Sequence, residues 1–438
     1  MLNVKLKYSE FESNIFKIVD KYYFTKYEKL YGVAVSGGPD SMLLLYVLSK
    51  WAYKKNKSLY VFSFDHNLRQ ESAYELTLVE KFCKKLNCNF TKIKWDKKPK
   101  TAIMEQARIA RYSYIAEKCN QNNIKTLFLG HHADDIAETV SMRIFNNSNL
   151  EGLCPIFELR EIFNIKLFRP FLSISKDQIL DLNLAEKINY VDDVSNINEK
   201  FFRSRIRKLL NQDKQLKNNL IKASSLFCKI RKFNDDFIKK HFNNYYYFKN
   251  EGFFEIKREI IKKFPKFLII CFFKMVIFRL GNKDYFSKNP IPDDIYLKVM
   301  QYENVVYSLG GCIIVFNKKK IYICREYKDI EKKLELVDVD KKIIWDNRFE
   351  IKNNTRNQIK ILPLGKVLNN SFYQKKFKIY KKMIKNLPFR VRKTIPAIFT
   401  LEGFIHIPHL NISEINTISD NIECRTIDFF HKKYDNIK

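Results

Sequence analysis

No stretch of this chain is apolar for long enough to cross a bilayer. A spanning helix needs about 20 consecutive apolar residues, and the longest greasy run, Phe267–Phe278, is interrupted by Lys274. Met1 to Glu10 contain neither an apolar core nor a small-residue cleavage site, so no secretory signal is expected. The nine cysteines (83, 88, 119, 154, 228, 271, 312, 324 and 424) include no CxxC pair. Their odd number and scatter argue against zinc ribbons and disulfide frameworks, and they predict reduced thiols in a cytoplasmic protein. Also missing are a repeat of fixed period, the GxxxxGK(S/T) phosphate loop and the HxHxDH spacing of a metallohydrolase. Acidic residues are absent altogether from 351–400.

That last absence belongs to an uneven charge distribution. The 438 residues carry 80 Lys+Arg against 48 Asp+Glu, a net +32 and a pI near 9.6. Residues 1–200 hold 30 basic and 24 acidic groups, whereas 201–250 hold 13 and 3, and 351–400 hold 13 basic groups. A near-neutral first half followed by a basic second half reads as a catalytic module plus a module that grips a polyanion. Aromatics are interleaved with the basic runs, as in Tyr245-Tyr246-Tyr247-Phe248-Lys249 and Phe372-Tyr373. Such mixtures hold RNA through phosphates and stacked bases, although at least half of these rings are expected in the core. A solvated Lys-rich surface in a Lys-, Ile- and Asn-rich chain is the competing explanation of the charge.

Over the first 200 residues, short apolar runs alternate with amphipathic ones. The strands expected are Gly32–Ser36, Leu59–Phe64, Phe90–Trp95 and Thr126–Gly130, with helices over 41–52, 72–86, 102–119 and 134–145. This alternation predicts an α/β fold, a doubly wound parallel sheet that binds ligands beyond the carboxyl ends of its strands. Domains are expected over 1–215, 216–340 (largely helical) and 341–438 (small, α+β).

The chemistry concentrates at those strand ends. Ser36-Gly37-Gly38-Pro39-Asp40-Ser41 lies between a strand and a helix. Its glycines let backbone amides wrap an anion at the positive end of the helix, and Ser36 and Ser41 add hydroxyl donors. Pro39 suits the first helical turn. Asp40 would repel a phosphate unless a divalent cation bridged them, which predicts Mg²⁺ held by Asp40. The pair His131-His132 and the acids Asp134, Asp135 and Glu138 follow the fourth strand. Arg108 and Arg111, three apart on a helix, suit fork-like contacts to phosphate or carboxylate. Plainer explanations stand beside these. Arg108 with Glu105 can be a surface ion pair, Asp134 can cap the helix that follows, and His66 beside Asp65 can be a satisfied strand-end histidine.

The six-residue loop resembles that of the N-type ATP pyrophosphatases, which cleave ATP between its α and β phosphates. Further segments resemble the tRNA(Ile)-lysidine synthetase family within that group. They are Phe64-Asp65-His66-Asn67-Leu68-Arg69, Glu105-Gln106-Ala107-Arg108 with Arg111-Tyr112, and Gly130 through Thr139. Arg169-Pro170-Phe171, Asp193-Val194-Ser195-Asn196 and Arg203-Ser204-Arg205-Ile206-Arg207 fit in order and spacing. Residues Leu387 to Ile398, with Arg390 and Arg392, resemble its C-terminal module. The match is dense over 31–210, sparser over 340–410 and weak between. Ser204 departs from the usual Asn, and Phe171 from the common Leu.

The resemblance implies an adenine nucleotide alpha hydrolase-like sheet and a cytoplasmic ligase. That ligase uses ATP and Mg²⁺ to join L-lysine to the wobble cytidine of the CAU-anticodon isoleucine tRNA. Asp40, Asp135, His131 and Arg108 are then expected to be catalytic. Ser36 through Ser41 would bind ATP. Asp65, His66, Arg69, Glu105, Arg111, His132, Asp134, Glu138, Arg203, Arg205, Arg207, Arg390 and Arg392 are candidates for lysine or tRNA. The general base stays open, as does homodimerisation. The alternatives are a tRNA-thiolating enzyme of the same fold, which typically relies on cysteine pairs, and a non-catalytic RNA-binding protein.

Overall fold

A computed structural model describes residues 2–22, 24–65, 72–95, 103–148, 150, 152–154, 156–163, 165–191, 202–281, 295–370, 379–385, 387–403, 405–414 and 421–427. The chain forms two compact units, Met1–Arg231 and Lys232–Ile437.

In the first unit, α1 (Leu2–Asp20) and the short α2 (Phe24–Tyr27) precede β1 (Leu30–Ala34). Then come α3 (Pro39–Lys54), β2 (Ser58–Asp65), α4 (Ser72–Lys85), β3 (Asn89–Lys94), α5 (Ile103–Gln121), β4 (Thr126–Phe128) and α6 (Ala133–Phe145). The hairpin β5 (Leu159–Ile162) and β6 (Ile165–Phe168) leads to α7 (Lys176–Ala185), α8 (Phe202–Gln212) and α9 (Lys214–His241). The six strands run in the order β3-β2-β1-β4-β6-β5. All pair in parallel except β5, which closes the edge antiparallel to β6. Gly32 of β1 faces Tyr60 of β2 on one side and Leu127 of β4 on the other. The strand order therefore reverses between β1 and β4, which opens a crevice beyond their carboxyl ends.

Both faces of this parallel sheet need cover. On one face Trp51 of α3 packs edge-on to Tyr31 of β1, with ring centroids 5.3 Å apart, and Phe128 and Phe168 continue the layer. The helix α1 covers the same face through Tyr8, Phe11, Ile15 and Val19, spaced three or four apart. On the other face α5 buries Tyr112, Ile115, Ala116 and Cys119 against Phe62 and Leu127. Cys154 and Cys228, 74 residues apart, are joined by a disulfide, so the expectation of reduced thiols alone is corrected; the other seven cysteines are not disulfide-bonded.

The second unit is built on antiparallel sheets. Strands β7 (Tyr246–Lys249), β8 (Phe253–Lys257), β9 (Val305–Leu309), β10 (Cys312–Phe316) and β11 (Lys320–Arg325) align in the order β7-β8-β11-β10-β9. The greasy run 267–278 is a helix, Lys266–Leu280, whose Phe272, Phe273, Val276 and Ile277 lie in one core with Phe254, Ile314 and Ile323. The middle stretch, expected as largely helical, thus carries a five-stranded sheet as well. Strands β10 and β11 form an antiparallel hairpin.

Beyond it lie β12 (Glu335–Val337), β13 (Lys342–Trp345), β14 (Phe349–Asn353), β15 (Ile359–Pro363), β16 (Pro396–Phe399), β17 (Ile405–Ile407), β18 (Ile412–Ser413) and β19 (Ile422–Thr426). They form sheets β12-β15-β16-β17-β18 and β13-β14-β19. The helix Lys381–Lys385 ends before Pro388, and a short one, Phe389–Arg392, follows.

Candidate active site

The turn from β1 into α3 carries the glycine loop. Gly37 has φ +90°, a left-handed conformation that suits glycine and lets the loop fold back on the helix. Within it the Ser36 amide donates to Ser41 Oγ (3.1 Å), and that hydroxyl donates to the Gly38 carbonyl (3.0 Å). Helix α3 opens at Pro39, and no side chain caps it at Gly38. An uncapped helix start behind a tight glycine turn presents amide N–H groups and a positive dipole end to an anion.

The end of β4 is pressed against this loop. A Cβ on Gly130 would lie 3.1 Å from both the carbonyl carbon and oxygen of Asp40 in the first turn of α3, a tight contact that glycine avoids. His132 is the N-cap of α6, and its amide donates to Asp135 Oδ2 at 3.0 Å, half of a capping box. The cap expected at Asp134 is therefore at His132. Buried His132 lies with Nε2 3.7 Å from Asp40 Oδ1 and 3.6 Å from Asp135 Oδ2, and so joins the two loops.

Each acid at the crevice meets a cation from a later helix. Lys176 Nζ, at the start of α7, donates to Asp40 Oδ1 at 2.6 Å. Asp134 is buried, accepts the Lys176 amide (3.1 Å) and pairs with the buried ammonium of Lys217 at the start of α9. Arg203 of α8 spans Asp135 (2.6 Å) and Glu138 (2.6 Å), and Arg207, one turn on, donates from Nε to Glu138 at 2.5 Å. Glu138, expected to be available for an ammonium, thus already holds two guanidinium groups. Burial would raise the pKa of Asp135, but His132, His131 and Arg203 outweigh it and hold the carboxyl below its usual range.

A second cluster is built from α5, the end of β4 and the residue after β6. Arg169 is 5% exposed, and its Nη1 donates to the Phe157 carbonyl at 2.8 Å. Arg111 and Arg108 lie 5.0 and 5.8 Å from the ring of buried Tyr112. Burial, followed by the Arg169 guanidinium, pushes the half-buried His131 well below the ordinary imidazole range, with Asp135 opposing. It is therefore neutral at pH 7.

The remaining candidates are placed outside these two clusters. Asp65, buried at the end of β2, lies 3.5 Å from Lys92 Nζ of β3. Arg205 is exposed and stacks on Phe202 at 5.5 Å. In the second unit Arg390 is exposed, while Arg392 donates to the Leu387 carbonyl at 2.9 Å. His66, Arg69 and the side chain of Glu105 lie outside the described residues. Sequence reasoning missed Lys176, Lys217, Tyr112 and Arg169 as site residues. Tyr112 and Arg169 lie within segments that resemble the family, Arg111-Tyr112 and Arg169-Pro170-Phe171, whereas for Lys176 the only signal was its position after the Ser175 N-cap.

Among the described residues no cluster of three His, Cys, Asp or Glu side chains is arranged as a metal cage. A lone carboxylate beside an anion cradle is nevertheless the donor set that suits Mg²⁺, which takes one or two carboxylates plus substrate phosphates. Asp40 fits that pattern.

Residues 7–214 match the PP-loop domain family. A tRNA(Ile)-lysidine synthase of Rickettsia felis is 31% identical over 437 residues, covering 92% of this chain and 94% of that protein. One from Wolbachia sp. subsp. Brugia malayi is 30% identical over 424 residues, covering 95% and 96%. One from Wolbachia pipientis wMel is 29% identical over 407 residues, covering 91% and 93%. With likeness along almost the whole length of both partners, and with the loop geometry in place, the chain belongs to the tRNA(Ile)-lysidine synthase family.

Proposed function

We propose that the chain joins L-lysine to C2 of the wobble cytidine of the CAU-anticodon isoleucine tRNA, converting AUG decoding to AUA. ATP is consumed and AMP and pyrophosphate are released. The observation that carries this reading is the full-length likeness to tRNA(Ile)-lysidine synthases. The crevice between β1 and β4 supplies the matching chemistry.

In this reading the loop from Ser36 to Ser41 holds the triphosphate through the amides of Gly37, Gly38, Asp40 and Ser41. Cytidine O2 attacks the α-phosphate, and the α–β bridge breaks with release of pyrophosphate. Oxygen is thereby converted from a poor leaving group into a good one. The ε-amine of lysine then forms the N–C2 bond, the C2–O2 bond breaks and AMP leaves with O2. Mg²⁺, held by Asp40 and the phosphates, would neutralise charge developing on the leaving pyrophosphate. Neutral His131 and its neighbour Arg108 donate to phosphate oxygens. Lysine's ammonium, with an ordinary pKa near 10.4, must lose a proton before attack, and the crevice's carboxylates lie beside that step. The three segments take separate parts: 1–215 catalyses, while 216–340 and 341–438 grip tRNA, the latter with Arg390 and Arg392. No helix among the described residues is long and apolar enough to cross a membrane, which accords with action in the cytoplasm.

Sulfur transfer is disfavoured by the cysteines themselves. Burial pushes the thiols of Cys83 and Cys119 up to about 12, far from a nucleophilic thiolate. Cys154 is engaged with Cys228. Mass spectrometry of isoleucine tRNA after incubation with lysine, ATP and Mg²⁺ tests the proposal. A mass increase equal to lysine minus water is expected, and unmodified competent transcript refutes it. Absence of tRNA-dependent pyrophosphate release would favour the non-catalytic alternative.

A further inference from the structure

The face of α9 that reaches the crevice also carries a cysteine. Lys217, Ser224, Cys228 and Arg231 recur at intervals of seven, four and three residues, which places them on one side of the helix. Lys217 holds buried Asp134. Along the rest of this face runs the segment between α6 and β5. Ser224 Oγ donates to the Leu153 carbonyl at 3.5 Å, Cys228 is bonded to Cys154, and Arg231 lies 5.3 Å from the Phe157 ring. The other seven cysteines are not disulfide-bonded. One pair is thus singled out in a chain whose cysteine pattern predicts reduced thiols.

The position of the bond ties it to the crevice. The stretch it closes, 155–227, contains Lys176, Arg203, Arg207 and Lys217, the partners of Asp40, Asp135, Glu138 and Asp134. All four acids precede Cys154. The bond therefore joins the cation-bearing stretch to the acid-bearing one. Contacts run on from it to the phosphate loop. Lys217 lies on the same helix as Cys228 and holds Asp134, Asp134 accepts the Lys176 amide, and the Lys176 ammonium holds Asp40. With the bond closed, the cations are kept on carboxylates from which an entering cation must displace them.

Access and charge fix how the bond is made. Cys154 is 2% exposed and Cys228 half-buried, so exchange with a dissolved reagent begins at Cys228. From Lys214 to Arg231 the helix carries five cations and no acid, which draws in an anionic reagent.

We propose that Cys154 and Cys228 form a reversible thiol–disulfide site, closed by an anionic small-molecule disulfide of the glutathione kind, and that closing it restrains the crevice in its ion-paired resting arrangement. The Cys228 thiolate attacks one sulfur of the reagent, a mixed disulfide forms and one small thiolate leaves. The Cys154 thiolate then attacks Cys228 Sγ, the protein S–S bond forms and the second small thiolate leaves. The two protons given up by the cysteines end on the two released thiols. Two cysteine sulfurs are oxidised and the two sulfurs of the reagent are reduced.

The test equilibrates the full-length protein in buffers running from excess glutathione disulfide to excess glutathione. Alkylation followed by mass spectrometry reads the state of the 154–228 pair, thermal melting reads the fold, and lysidine formation on CAU-anticodon tRNA reads turnover. The last readout alone rests on the function proposed above. The bond is expected to open and reclose in the folded chain, with melting lowered by roughly 5–10 °C when it opens. Turnover is expected to be roughly tenfold higher in the open state. Both states have the wild-type sequence, so no variant has to fold for the comparison to be read. A pair that stays bonded in excess glutathione until the chain unfolds is a structural staple and overturns the proposal, as does a pair that never closes. Equal turnover in the two states overturns the restraint. Cys228→Ser should turn over like the open wild type and ignore glutathione disulfide; inhibition of that variant places the effect at another cysteine. An open wild-type chain that makes no lysidine fails the function, while alkylation and melting still decide whether the site closes and stiffens the fold.

Discussion

Replacing Glu138 with glutamine separates a structural ion pair from a substrate site. The Glu138 side chain is 3% exposed and takes Arg203 Nε at 2.6 Å, Arg207 Nε at 2.5 Å and Arg207 Nη2 at 3.2 Å. Glutamine keeps the volume but removes the charge and one acceptor. Breaking a fully buried pair costs about 3–5 kcal/mol. Here the guanidinium groups are 42% and 33% exposed, so water takes up part of what is lost, and screening lowers the cost to about 1–2 kcal/mol. Urea unfolding measures it by the fluorescence of buried Trp51 and Trp95 in a Trp345→Phe background. A cycle with Arg207→Gln should give a coupling of about 1 kcal/mol between the two positions. A coupling below about 0.3 kcal/mol would show that Arg207 does not rest on Glu138 in solution, and the pinning of α8 to α6 would be refuted.

Asp40→Asn and Asp135→Asn should each lower tRNA-dependent pyrophosphate release at least roughly 100-fold while the chain still folds. Wild-type rates in either would remove that residue from the chemistry. Gly130→Ala forces a methyl against the Asp40 backbone at 3.1 Å. It should cost about 1–3 kcal/mol and weaken ATP binding; unchanged nucleotide affinity by calorimetry would contradict the close approach. Acid should loosen the second unit through His409, whose pKa is pushed down to about 4 by burial and then by Arg348 and His406. The unfolded chain takes up this proton near the ordinary value of 6.5 while the folded chain does not, so stability falls as pH drops from about 6.5 towards 4. The loss is up to about 3 kcal/mol. His409→Gln should flatten that slope in Trp345-detected urea midpoints, and an unaltered slope would exclude His409 as its source.

The parallel sheet and its loop were legible because their signals are local. Gly32 to Ser36 is a buried strand, and Gly37, Gly38 and Pro39 punctuate it at the point where α3 begins. The carboxylates were legible for the same reason, clustered in one decapeptide after β4. Their partners were not. Lys176 and Lys217 reach the site from 42 to 136 residues away in sequence, and among 80 basic residues nothing local marks them, whereas Arg203 and Arg207 were candidates through the family resemblance alone. The Cys154–Cys228 bond was hidden likewise by its 74-residue separation. The sheet in 246–325 escaped notice because short apolar runs there fit a buried helix as well as a strand. Only the hairpin around Gly310–Gly311 carried a turn signal.

Those hidden partners set the electrostatic condition of the site. Four carboxylates, Asp40, Asp134, Asp135 and Glu138, meet four cations, Lys176, Lys217, Arg203 and Arg207. In a partly dry crevice such pairing avoids the several kcal/mol that an unpaired buried carboxylate would cost. It also means that an entering cation, metal or ammonium, competes with a side chain already bonded there. The pairs differ in how easily they yield. Lys217 and Asp134 are each 9% exposed, so their separation would leave two desolvated charges. Lys176 and Asp40 are 31% and 28% exposed, and a lysine at a helix start can swing its ammonium into water at little cost. Exchange is therefore cheapest at Asp40, the carboxylate beside the phosphate cradle, and dearest at Asp134, which ties α7 and α9 to α6. The same count of charges thus serves as scaffold at one end of the crevice and as a replaceable counterion at the other.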